Sequence, residues 1–150
     1  MSHRAFVFDE SGYINLLSRA LSAALEDGAP EALAAFVRAR FPDEDSDAGP
    51  VALAEKALEA FYDPAADIGL GTRASSAREA LSRAYPEGIA FLTGAILPLH
   101  GWYVQSAQAV ARNLPLVEEA ARKDPLNREV LLRVVEMLRS AQGSGLLVKG

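Results

Sequence analysis

The reactive inventory of this 150-residue chain is narrow: two histidines, no cysteine, and fifteen lysines and arginines against twenty carboxylates. Without cysteine there are no disulfides, no thiolate nucleophiles and no cysteine-ligated zinc or iron–sulfur sites. His3 and His100 lie far apart, and neither belongs to an HExxH pattern, which argues against a histidine-built zinc hydrolase. No GxxxxGK[ST] run is present. Gly69-Leu70-Gly71 lacks the third glycine of a dinucleotide fingerprint and follows no β-rich run, so it reads as a turn. Ser75 or Ser76 with His100 could form a hydrolase pair, but no GxSxG nucleophile elbow supports one.

Carboxylates cluster in Asp43-Glu44-Asp45-Ser46-Asp47-Ala48-Gly49, an alternation that could converge on calcium. The spacing fails. With Asp43 as first ligand, glycine comes seventh instead of sixth, Ala54 occupies the twelfth position, and Pro50 stiffens the middle of the loop. No metal and no cofactor is expected. The turn reads instead as a patch of Asp43, Glu44, Asp45 and Asp47 that could recognise basic groups, with Asp63 and Asp67 as further candidates.

Two other places could hold chemistry. His100-Gly101-Trp102-Tyr103 sets an imidazole beside the single tryptophan, where His100 could act as a base near Tyr103. The reading favoured there is a core histidine among aromatics that fill the interior. The stretch from Asp63 to Ala74 is the longest irregular interior segment, and such loops are often functional. Tyr62, Asp67 and Arg73 could line a concave site beneath it, joined by His100, Trp102 and Tyr103. Equally, Ile68 and Leu70 could simply plug the core.

The elements that must position these residues are read as helices. The chain has 28 Ala and 20 Leu against 10 Val, 4 Ile and 2 Thr, a bias towards helix formers. Apolar spacing and cap signals give helices over about 12–27 (capped by Ser11), 30–41, 50–62 and 75–85. Residues 88–111 carry no Asp, Glu, Lys or Arg. That run is interrupted by Pro98, Gly101 and polar side chains, so it predicts a buried hairpin: a helix over 87–97 and another from Trp102. Leu92, Ile96, Trp102 and Val110 should then be buried. Pro115 should kink or restart the second helix, and Pro125 should open a last one over 125–142. The expected fold is all-α: one domain of six to seven helices around the uncharged hairpin, with flexible ends at 1–8 and 143–150. No repeat period emerges.

Charge points towards function. Residues 1–75 hold 13 acids and 6 bases, and residues 76–150 hold 7 acids and 9 bases, giving nets of −7 and +2. An acidic half suits a basic protein partner and makes a poor nucleic-acid surface. No apolar signal core marks the N-terminus and no membrane contact is expected; an Arg- and Ala-rich bacterial, cytoplasmic protein is the reading. The leading expectation is a non-catalytic interaction protein, most concretely an immunity-type or antitoxin-like inhibitor of a basic toxin. A small-molecule-binding or sensing domain, with a pocket between the 63–74 loop and the hairpin, is the alternative. An enzyme centred on His100, Tyr103 and Asp67 ranks third. The oligomeric state is left open.

Overall fold

A computed structural model describes residues 3–44, 48–87 and 95–149, with backbone only at 95–96. In chain order it gives β1 (Arg4–Phe8), α1 (Glu10–Leu16), α2 (Ser18–Leu25), α3 (Glu31–Arg40), α4 (Pro50–Leu58) and α5 (Ala74–Ala84). Then follow β2 (Ala95–Ile96), β3 (Trp102–Gln105), α6 (Ala107–Lys123), α7 (Arg128–Ser140) and β4 (Gly145–Lys149). The protein is mostly helical, as its Ala and Leu content implies. It also contains a four-stranded antiparallel sheet, order β1-β4-β3-β2, which corrects the all-α reading.

Side chains alternate across a strand, so β1, β3 and β4 each feed two cores. Ala5, Tyr103, Leu146 and Val148 join α5, α6 and α7 on one face. Phe6, Phe8, Trp102, Val104 and Leu147 join the α1–α4 helices on the other. Register fixes this division: Ala5 and Tyr103 flank Val148, and Phe6 and Val104 flank Leu147. A slip of one residue would turn every one of these side chains to the wrong core. The result is three layers, with the sheet between two sets of helices.

The ends read as flexible are thus the best-paired strands. β1 runs beside β4 from Arg4 opposite Lys149 to Phe8 opposite Gly145, and Ala5, Phe8, Leu146 and Leu147 are fully buried. Trp102, expected to open a helix, begins β3, and α6 starts only after Ser106, whose side chain accepts from Ala109 N–H at 3.0 Å. Ala95–Ile96, expected at the end of a helix, forms β2. Residues 88–94, and Leu92 with them, lie outside the described residues, as do the surroundings of the Ile96 side chain. Val110 is buried as expected, whereas Trp102 is only half-buried.

Helix boundaries shift for local reasons. Asp9, not Ser11, caps α1, accepting from Gly12 N–H at 3.0 Å. A break at Leu17 separates α1 from α2. Pro115 interrupts nothing: α6 runs through it, held by Leu114, Val117 and Ala120 in the core shared with α7. That packing outweighs the roughly 3 kcal/mol an interior proline costs. α5 starts at Ala74 and α7 at Arg128, each close to its expected place.

Candidate functional site

The 63–74 loop is built onto the sheet. It runs along the outer edge of β1. Ile68 N–H donates to Ala5 O at 2.7 Å, and Gly71 and His3 exchange backbone hydrogen bonds at 2.9 and 3.2 Å. Asp67 Oδ1 accepts from Ala5 N–H at 3.1 Å and from Gly69 N–H at 2.8 Å, doing the work of a strand carbonyl. The buried His3 ring accepts from Leu70 N–H through Nδ1 at 3.1 Å. Gly69 is needed for this approach, since a Cβ there would lie 2.6 Å from Arg4 Cα. The loop covers an edge that would otherwise expose unpaired backbone groups. Ile68 and Leu70 meanwhile pack into the α5–α7 core.

The carboxylates singled out from sequence separate accordingly. Asp67 is committed to the loop, and Asp63 caps its own turn by accepting from Ala65 N–H at 2.9 Å. Glu44 pairs with Lys56 at 3.3 Å, and the Lys56 ammonium lies 4.9 Å from the centroid of the Phe41 ring. That contact with Glu44, followed by Glu59, holds the Lys56 amine above its usual pKa. Asp43 is exposed. Asp45 and Asp47 lie outside the described residues.

These acids belong to a larger surface. Described residues of the α1–α4 segment, 9–44 and 48–63, carry ten acids and four bases, a net of −6. The α5–α7 segments, 74–87 and 107–141, carry seven acids and eight bases, a net of +1. The two segments lie on opposite faces of the sheet, so an asymmetry along the sequence becomes one between two sides of the molecule. The acidic layer also exposes Ile14 (56%), Leu16 (55%) and Val51 (55%). Glu26, Asp27, Glu31 and Glu59 belong to the same layer and escape a reading of the sequence, because only the 43–47 run stands out by spacing.

The proposed pocket residues are dispersed, with one exception. Arg73 pairs with Glu129 at 3.1 Å on the surface. Tyr103 packs into the α5–α7 core, while Trp102 faces the opposite core. His100 is exposed on the turn between β2 and β3, which corrects its reading as a core histidine. Ser75 and Ser76 are exposed in the first turn of α5. Tyr62 and Trp102 do meet, with ring centroids 6.5 Å apart in an edge-on arrangement.

What brings Tyr62 and Trp102 together is Lys149, which sequence reasoning missed. Its Nζ lies 4.3, 4.8 and 5.2 Å from the ring centroids of Trp102, Tyr62 and Phe6, and donates to the Tyr62 hydroxyl at 2.6 Å. Among the described residues no carboxylate comes within ion-pair distance of it. Burial, followed by the charge of Arg4, pushes the amine below its ordinary pKa, while Glu59, Glu55 and Asp67 act the other way. Burial also pushes the Tyr62 phenol up to about 12, helped by Glu59 and Glu55 and opposed by Arg4. This box ties β1, β3, β4 and the end of the α4 segment together at one end of the sheet.

Among the described residues, no three His, Asp or Glu side chains converge as a metal site, and no buried side-chain polar atom lacks a partner. No helix there is long and apolar enough to cross a membrane. No family model, curated protein or solved structure matches the chain.

Proposed function

We propose that the chain is a non-catalytic protein-interaction module that meets a basic protein through its acidic α1–α4 layer. The observation that carries this reading is the segregation of charge across the sheet, −6 on one side and +1 on the other. Such a field speeds encounter with a positively charged surface and disfavours acidic partners. Exposed Ile14, Leu16 and Val51 add apolar surface of the kind that interfaces desolvate at their centres. In its most concrete form the module is a bacterial immunity-type or antitoxin-like inhibitor that acts in the cytoplasm by covering a basic toxin.

The test compares the wild-type chain with a variant whose turn acids Asp43, Glu44, Asp45 and Asp47 become Asn and Gln. A control variant carries Glu79→Gln and Glu136→Gln on the opposite layer. With a basic partner captured by the wild type, stopped-flow association at low salt should slow by about tenfold in the turn variant and not in the control. A captured partner of acidic charge, or equal on-rates in all three proteins, would overturn the reading.

A further inference from the structure

We infer that the groove between α6 and α7 binds a small organic anion that carries an apolar body. The groove has a volume of about 520 Å³, within the range of sites that enclose small ligands. Ala121, Leu132 and Val135 give it an apolar floor. Arg122, Arg128 and Arg139 stand around it, against one carboxylate, Glu118.

The commitments of these three arginines decide the sign of the ligand. Glu118 is paired with Arg139 at 3.1 Å. Among the described residues Arg128 is bonded to carbonyls and to no carboxylate: its Nε donates to Ala121 O at 3.0 Å and its Nη2 to Arg122 O at 3.1 Å. Those carbonyls belong to the C-terminal end of α6, whose partial negative charge would repel an anion if left bare. Arg128 neutralises it and is held in place while its remaining N–H groups stay uncommitted. Arg122 forms no ion pair among the described residues. Among the described residues Arg122 and Arg128 therefore form no ion pair beside the apolar floor, Glu119 acting on Arg122 only from beyond ion-pair distance. Planar guanidinium forks match carboxylate, phosphate or sulfonate oxygens in pairs. The floor then selects for an attached ring or short alkyl chain.

This site lies across the sheet from the acidic layer, so it stands or falls independently of the partner proposed above. It also places the small-molecule pocket away from the 63–74 loop. A smaller, more polar recess of about 250 Å³ lies beside that loop, bounded by Arg133 and Glu136 of opposite charge.

Amide NMR titration with phenylbutyrate, with the neutral phenylbutanol and with inorganic phosphate tests the inference on the intact chain. Phenylbutyrate should saturate with a Kd of roughly millimolar order, as expected for a ligand of its size. Its shifts should centre on residues 118–122, 128–135 and 139. The alcohol and phosphate should each bind at least about fivefold more weakly, because each lacks one half of the recognition. The exposed double variant Arg122→Gln/Arg128→Gln should weaken phenylbutyrate by about fivefold, the combined effect of two exposed charge contacts. It should leave the amide spectrum of the rest of the chain in place. Several results would overturn the site: no saturation by about 20 mM, shifts centred elsewhere, or equal binding of the alcohol. Equal binding of phosphate, or undiminished binding by the double variant, would do the same.

Discussion

The ammonium of Lys149 sits 2.6 Å from the hydroxyl oxygen of Tyr62, and the two residues are 87 positions apart in the chain. Their contact joins the last strand to the segment that follows α4. Three ring faces surround the cation, each offering the negative side of its quadrupole. Lys149 stands opposite Arg4 on one side and Trp102 on the other in the strand register. The aromatic faces therefore offset a repulsion that the backbone pairing imposes. The box closes the end of the sheet at which β1, β4 and β3 would otherwise present two like charges to each other.

Replacing Lys149 by Met keeps most of the apolar stem and removes the charge and the donor. The expected cost is about 1–2 kcal/mol, from cation–π contacts and one charge-assisted hydrogen bond. Tyr62→Phe should cost about 1 kcal/mol. The double variant should lose clearly less than the sum, with a coupling of at least about 0.5 kcal/mol by urea denaturation. Strictly additive losses would mean that the two side chains do not act together.

The same pair gives a pH dependence. Burial presses the Lys149 pKa below its usual value, so the amine loses its proton before the phenol does. At higher pH it is neutral and cannot assist ionisation of Tyr62, whose pKa stands at about 12. An unfolded chain releases the tyrosine proton near pH 10, whereas the folded one holds it. Between about pH 10 and 12 the folded Tyr62 thus keeps a proton that the unfolded one releases. Its contribution to stability falls as pH rises through that window, opposed by Lys149 only below that amine's ordinary pKa. Tyr13, also raised by burial and then by Glu26, adds in the same direction. Absorbance titration near 295 nm should show a late tyrosine phase that disappears in Tyr62→Phe. A wild-type titration complete by about pH 11 would refute the shift.

The edge-covering loop is tested at Asp67. Asp67→Ala removes the acceptor of two backbone N–H groups, those of Ala5 and Gly69, and should cost about 1–3 kcal/mol. Asp67→Asn keeps an oxygen and should cost less. Gly69→Ala forces a methyl against the β1 backbone, so its cost should exceed that of Asp67→Asn. Hydrogen exchange at Ile68, bonded to Ala5 of β1, and at Gly71, bonded to His3 just before it, should accelerate in both the alanine variants. Unchanged exchange would show that the edge pairing does not depend on these two residues.

The helices were legible because Ala, Leu and apolar spacing speak locally. The acidic turn was legible because its carboxylates are adjacent in sequence. The sheet was not. β4 is the run Gly-Leu-Leu-Val-Lys, in which three consecutive apolar residues conceal the alternation of a strand. They do so because helices cover both faces, leaving no polar side to mark the period of two. β1 carries the clearer signal, Phe6-Val7-Phe8, yet its partner lies at the opposite end of the chain, and pairing over such separation leaves no local trace. The Lys149 box is invisible for the same reason: Phe6, Trp102 and Lys149 are gathered by strand register, and Tyr62 joins them from the segment after α4. Trp102 and Tyr103 were grouped by adjacency, but neighbouring residues on a strand face opposite sides. The charge asymmetry was read correctly along the chain, and what it lacked was the sheet that turns sequence halves into molecular faces.

The strongest consequence of that sheet falls on Leu147. It lies at the centre of β4, between Phe6 and Val104, with no exposed surface. Leu147→Ala should cost about 2–5 kcal/mol, the range for a buried leucine whose surroundings cannot collapse. Leu126→Ala, at a position 94% exposed between α6 and α7, should change stability by less than about 0.5 kcal/mol. Amide exchange supplies an independent readout. β4 is hydrogen-bonded on both edges, so its amides should exchange only through opening of the whole core, far slower than those of a frayed tail. Rapid exchange at residues 146–148, together with a small loss in Leu147→Ala, would mean that β4 is not the central strand and would dissolve the three-layer arrangement.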